Sequence, residues 1–324
     1  MHRRAFIASI MKVTGNVNAD IGVGTRVPLK KILTSNQETK VFVSARCVRR
    51  CIRERLYEKN LPIDPLQLIG PGERRQLGDV GDPIKYVDDD IFGYLIPEEV
   101  PLKRSSPIKI SHLISLQHTE IKPEFAGRFQ RDFLKEFERG YPAPFEIEIA
   151  EWLGRLGVIV SDGIGRFGKD EIKEEYVKNY EGKLIKSDSF YYLDPYERSE
   201  RLKAFLEILL WEGWQFPRAA QSPSIPEFYY CIIALTEHFV PIFGFVTIDE
   251  NKNISQKGLD HLKDLYGSLI DKLYVLNHRN CSCQTFVRKN DNLTKEEEEK
   301  LDGKKMKNII SDICKFIVPE TPQG

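Results

Sequence analysis

The sequence predicts an α+β chain. Residues 41–56, VFVSARCVRRCIRERL, read as a short strand running straight into an arginine-striped helix. The other strand-like and helix-like segments lie separated along the chain rather than in strict βαβ alternation. With 324 residues, 41% of them hydrophobic, the chain is long enough for one large domain or two ordinary ones.

In chain order, the alternating apolar residues of 5–13 predict a first strand. TGNVNADIGVGTRVPLKKI follows, a loop rich in Gly, Asn and Thr. The arginine helix covers 42–57, with Ser44 as its N-cap. Residues 60–105 are rich in Pro, Gly and Asp with little periodicity, as expected of a functional segment or an insertion. Residues 108–117 alternate as a strand, 123–153 carry helical patterns, and 156–160 form a short apolar strand. A charged stretch (169–183), a helix (198–211) and a loop (214–226) come next. Strands are expected at 228–235 and 240–248, and helices at 258–274 and 294–316, the last opening on the glutamate run 296–299.

At 100° per residue, Arg46, Arg49, Arg50 and Arg53 fall on one face of the helix, and Cys47, Val48, Cys51, Ile52 and Leu56 fill the opposite, buried arc. Arg55 sits inside that apolar arc and fits neither face. Four like charges at helical spacing repel one another, so the face is expected to meet an anion. The planar arginine fork suits the oxygens of a phosphate chain. Residues 1–60 hold 13 Lys and Arg against 4 Asp and Glu, a balance of +9; the whole chain is neutral, so the remainder carries −9. One basic surface on an acidic body is the expectation.

Other motifs fall back on structural readings. Gly163, Gly165 and Gly168 have dinucleotide-fingerprint spacing after a strand, but the acid-rich segment that follows cannot pack as the required helix, so a glycine turn is expected. Asp88, Asp89 and Asp90 cannot converge on one metal from a strand, whose side chains alternate. His278, Cys281 and Cys283 lack a fourth zinc ligand, since Cys47 and Cys51 read as core. Asp20, in the loop beside the basic helix, is a candidate for metal-assisted strand cleavage, although no partner acid is evident. Residues 242–248 look like the end of a base-stacking RNP motif, with a buried strand as the simpler reading. No apolar run approaches the ~20 residues of a membrane span. The six cysteines lack a disulfide framework and are expected to be reduced, in the cytoplasm.

Four segments in this order resemble the Cas-seven superfamily, most closely its DevR-like, type I-B branch. They are Asn16-Val-Asn18-Ala-Asp20 through Arg26 to Lys30-Lys31; Phe42-Val-Ser44-Ala-Arg46 with Arg49, Arg50 and Arg53; Asp88-Asp-Asp90-Ile-Phe92-Gly93-Tyr94; and Pro217-Arg218-Ala-Ala-Gln221-Ser222. The resemblance implies an RRM-like (ferredoxin-like) palm with finger and thumb insertions, hand-shaped, in a single domain. The palm would draw on 1–59, 106–160 and 226–250, the finger on 60–105 and the thumb on 161–225, with a helical part at 251–324. It implies a non-catalytic backbone subunit of a type I Cascade complex, without cofactor or metal. Its partners would be CRISPR RNA, target DNA through the guide heteroduplex, further copies of itself and other Cascade subunits, with no membrane. It places Asn16, Asn18, Arg26, Lys30, Lys31, Ser44, Arg46, Arg49, Arg50, Arg53, Arg218, Gln221 and Ser222 against RNA. Related subunits that cut target RNA with an aspartate make a metal-dependent endoribonuclease the alternative.

Overall fold

A computed structural model describes residues 2–19, 22, 24–70, 75–97, 101–128, 141, 143–217 and 224–319. From the amino end, β1 (Arg4–Gly15) leads through β2 (Arg26–Val27) and the hairpin of β3 (Lys31–Leu33) and β4 (Thr39–Val43) into α1 (Ala45–Glu58). Two small hairpins follow, β5–β6 (Gln67–Ile69, Gln76–Gly78) and β7–β8 (Tyr94–Ile96, Leu102–Arg104), with α2 (Val87–Phe92) between them. Next come β9 (Ile108–Ile110), β10 (Leu113–Ser115), β11 (Lys122–Arg128) and the 19-residue β12 (Ala143–Ser161). Strands β13 (Arg166–Gly168), β14 (Leu184–Lys186) and β15 (Phe190–Leu193) form a separate small sheet, with α3 (Glu174–Asn179) inserted after β13. Helix α4 (Pro195–Glu207) then runs into a π turn over Ile208–Glu212. The rest comprises β16 (Glu227–Thr236), a 3-10 turn (Ile242–Phe245), α5 (Gln256–Tyr266), β17 (Lys272–Asn277), β18 (Ser282–Lys289), β19 (Asn292–Lys300) and α6 (Gly303–Ile317).

The main sheet is open, ordered β19-β18-β17-β16-β1-β12-β10-β4-β3, with β9, β11 and β2 also pairing along β12. Its pairings are antiparallel except β2 with β12. Strand β1 is buried on both faces, so it reads as a near-continuous apolar run. Ala5, Ile7, Met11 and Val13 join the core beneath α1, α4 and α6, and Phe6, Ala8 and Ile10 join the core beneath α5 and the 3-10 turn. The period of two thus divides one strand between two hydrophobic layers. Among the described residues no helix is long and apolar enough to cross a membrane.

The structure corrects several expectations. The helical reading of 123–153 gives way to β11 and the first half of β12, where PFEIEIAEW alternates. The strand expected at 240–248 is a 3-10 turn: Pro241 lacks a ladder donor, and Phe243 lies across the sheet against Gly157, where a Cβ would approach its ring to 3.1 Å. The part 251–324 is not helical throughout. Its centre is the β17–β18–β19 meander, turned between β18 and β19 by Asn290 and Asp291, whose φ values of 48° and 61° fit a primed hairpin turn. The glutamate run is therefore a sheet-edge strand, where Lys305 holds Glu297 (3.1 Å) and Glu299 (2.6 Å). Asp88, Asp89 and Asp90 lie on a short helix rather than beside a strand, and all three are buried. Gly163 and Gly165 form the expected turn, while Gly168 ends β13: Gly165 has φ 61° and its N–H donates to Asp90.

Candidate nucleic-acid interface

The loop before α1 is tied to the helix start. Ser44 is the N-cap, its Oγ accepting from the Cys47 N–H at 3.3 Å. Asn18, in the left-handed region at φ 50°, accepts from both the Ser44 N–H (2.8 Å) and the Ser44 hydroxyl (2.9 Å). His112 Nδ1 accepts the Ala45 N–H at 2.9 Å, and its ring lies against Phe42 at 5.0 Å. Neither Ser44 nor Asn18 is left as a bare contact group; both set the helix entry. Cys47, Val48, Cys51, Ile52 and Leu56 are the buried residues of α1.

The four arginines differ sharply. Arg46 is exposed and, among the described residues, has no hydrogen bond or ion pair. Arg50 is exposed and pairs with Glu54 at 2.9 Å, which raises its pKa. Arg53 reaches Asp88 Oδ2 at 2.9 Å and lies 5.1 Å from the Phe92 ring centre. Asp88 titrates above the ordinary carboxylate range because burial outweighs the help of the Asp64 N–H and Arg53. Arg49 is half-buried over Phe92, and its Nε has no partner. Burial, then the like charges of Arg53 and Arg46, lower its pKa. Arg55 turns away to Glu58 and to Glu212 (3.3 Å), so it belongs to an intramolecular ion cluster with Lys59.

Arg26 and Lys31 converge on Glu148, a β12 carboxylate only 2% exposed, at 2.7 and 2.9 Å. The Leu29 N–H donates to the same group at 2.9 Å. Burial alone would raise the pKa of Glu148; the Lys31 ammonium, the Leu29 amide and Arg26 together hold it below the usual range. Asn16 Nδ2 donates to the Glu148 and Val27 carbonyls at 2.6 and 3.3 Å. Lys30 is half-buried and, among the described residues, its ammonium has no partner. Its carbonyl accepts from the Phe42 N–H at 3.0 Å, which joins this loop to the strand feeding α1. Arg218, Gln221, Ser222 and Asp20 lie outside the described residues.

Sequence reasoning missed Glu148, Asp88 and His112 as partners of this surface. They come from 122, 35 and 67 positions away, counted from Arg26, Arg53 and Ala45, and no local spacing marks them. The zinc reading of His278, Cys281 and Cys283 also finds no geometry. His278 is half-buried and stacked on Phe228, centroids 5.4 Å apart, and desolvation lowers its pKa to about 4. Among the described residues, the one group of three or more such side chains with potential ligand atoms within 4.8 Å of one another is Asp64, Asp79 and Asp89. Two of these carboxylates organise backbone: Asp64 accepts from the Leu66 and Val80 N–H groups, both at 2.6 Å, and Asp89 from the Asp82 N–H at 2.9 Å.

A model of the family described as CRISPR-associated negative auto-regulator DevR/Csa2 matches residues 76–257. Two solved structures align with this chain. One is a chain of a CRISPR RNA-guided surveillance complex in a pre-nicking state, with TM-score 0.50 and 11% identity over 81% of this chain and 87% of that one. The other is a chain of a CRISPR RNA-guided surveillance complex, with TM-score 0.48 and 12% identity over 81% of each chain. A search of the curated proteins finds no match.

Proposed function

Because the chain belongs to the DevR/Csa2 family of CRISPR-associated proteins, whose members are non-catalytic structural subunits, we propose that it is a CRISPR RNA-binding backbone subunit of a type I Cascade complex. Copies line up along the guide RNA and present it for pairing with target DNA, beside the other Cascade subunits. In this reading the fold is an RRM-like, hand-shaped palm drawn from 1–59, 106–160 and 226–250, with a finger at 60–105 and a thumb within 161–225. Cytoplasmic residence follows from that role. Target-RNA cleavage at Asp20 is set aside, because it conflicts with membership of a non-catalytic family.

Arg49 carries the proposal. A half-buried guanidinium with an unpartnered Nε, pressed between two like charges, is electrostatically incomplete until an anion arrives. Phosphate contacts of this kind give affinity without sequence choice, as a guide carrier needs, since base pairing supplies the specificity. Zero net charge suits a subunit that packs against its own copies.

The test is RNA co-purification by a variant carrying Arg46→Ala, Arg49→Ala and Arg50→Ala. Arg53 is left in place, because removing it would strand buried Asp88. The variant is expected to lose bound RNA, read as the absorbance ratio at ~260 and ~280 nm of nucleic acid and protein, while its circular dichroism is retained. A folded variant carrying wild-type amounts of RNA would overturn the proposal.

A further inference from the structure

The outward stripe of α1 continues one turn beyond its charges. Arg46, Arg50, Arg53 and Tyr57 follow at spacings of four, three and four, which keeps them within about 60° of one another around the helix. Tyr57 is 70% exposed. Among the described residues its ring has no aromatic or cationic neighbour and its hydroxyl no hydrogen bond. A merely solvated position at the end of a helix favours Lys, Glu or Gln on propensity, and none of them leaves a bare ring in water.

The platform beneath Tyr57 is firm. Leu56 is fully buried. The Lys59 N–H donates to the Arg55 and Leu56 carbonyls, both at 3.1 Å. The Lys59 ammonium is held by Glu207 at 2.9 Å and Glu212 at 2.6 Å. The ring therefore stands about 6 Å along the helix axis from Arg53 and about 16 Å from Arg46, on backbone that does not fray.

We propose that Tyr57 is a base-stacking residue of the RNA site, taking the face of an unpaired nucleobase whose neighbouring phosphates lie on the arginines. The inference rests on the RNA-binding reading above and specifies its ligand as single-stranded RNA, because a base inside a duplex has no free face. Arg50 and Arg53 already share their charge with Glu54 and Asp88, so stacking supplies what phosphate contact alone does not. Every base has a π-face, so the contact is sequence-tolerant, as a backbone subunit requires.

The experiment measures affinity of the full chain for a fluorescent single-stranded RNA across a salt series. It compares the wild type, the triple arginine variant, Tyr57→Ala, Tyr57→Phe and Tyr57→Trp. Tyr57→Ala is expected to weaken binding roughly 5- to 100-fold with the salt slope unchanged, and Tyr57→Phe to restore it. The triple arginine variant is expected to flatten the slope by about 2, near 0.7 per arginine on a single strand. RNA should quench Tyr57→Trp more than it quenches the wild type. Wild-type affinity in Tyr57→Ala without extra quenching in Tyr57→Trp, while the arginine variant loses slope, would overturn the stacking role and leave the RNA reading standing. An arginine variant that binds as the wild type does would overturn the RNA reading itself, and the stacking role with it.

Discussion

Arg104 and Arg201 lie inside the molecule, their terminal guanidinium nitrogens held by acids and carbonyls although Arg201 Nε has no partner; Arg46, Arg49 and Arg50 lie on the outer face of α1, where acids are fewer. Arg104, 2% exposed in its side chain, holds Asp90 (2.6 Å), Glu171 (3.1 Å) and the carbonyls of Asp90, Gly163 and Arg166. Arg201 holds the other oxygen of Asp90 (3.0 Å), Glu197 (2.6 Å) and the carbonyls of Pro83 and Ile84. The first group fastens the segment 83–104 to α4 and to the glycine turn. On α1 the acids are fewer and sit at the margins, so repulsion remains. One residue type thus serves as a clasp where oxygens surround it and, in the proposed reading, as a docking face where they do not.

The widest separation between the two regions should appear on removing the shared acid. Asp90→Ala strands two buried guanidiniums and is expected to cost about 3–5 kcal/mol in urea unfolding. Arg49→Ala relieves repulsion and should leave stability within about 0.5 kcal/mol of the wild type while weakening RNA binding. Equal stability losses in the two variants would erase the contrast.

A pH series sharpens it further. Burial first, then Asp64 and Asp88, push Asp89 up to about 9. The folded chain therefore binds more protons than the unfolded one between roughly pH 4 and 9. This contribution is complete below the unfolded pKa and is lost as pH rises toward 9, at no more than about 1.4 kcal/mol per unit. Asp89→Asn should flatten the decline, measured as the unfolding midpoint from pH 5 to 9; an unchanged slope would exclude a proton held at Asp89. Smallest of all, Arg55→Ala removes a partly exposed ion cluster and should change stability by less than about 1 kcal/mol. RNA affinity should not change; a loss there would move Arg55 onto the binding face.

Helix α1 was legible because one stripe at period 3.6 decides both its faces, and Ser44 marks its start. Strand β1 was legible from its alternation and β16 from its apolar run, although burial of β1 on both faces was not foreseen. Misreadings came where a local pattern competed with distant partners. KEEEEK looks helical until Lys305, from the next helix, meets its glutamates across a hairpin. PFEIEIAEW lost to neighbouring helical patterns, although its alternation predicts β12. At the site, the cations were visible in sequence and their acids were not. Glu148 and Asp88 are set by tertiary packing, and they decide that Arg26, Lys31 and Arg53 are partly satisfied while Arg46 and Arg49 are not.

The unmatched Nε of Arg49 has a consequence for the lifetime of the chain. Any anion that seats there binds the folded state alone, and so deepens the folded well by mass action. Occupied and vacant copies then differ in how often they open to proteases, although their sequence is the same. In the proposed reading, copies seated on RNA would therefore resist proteolysis longer than copies free of it.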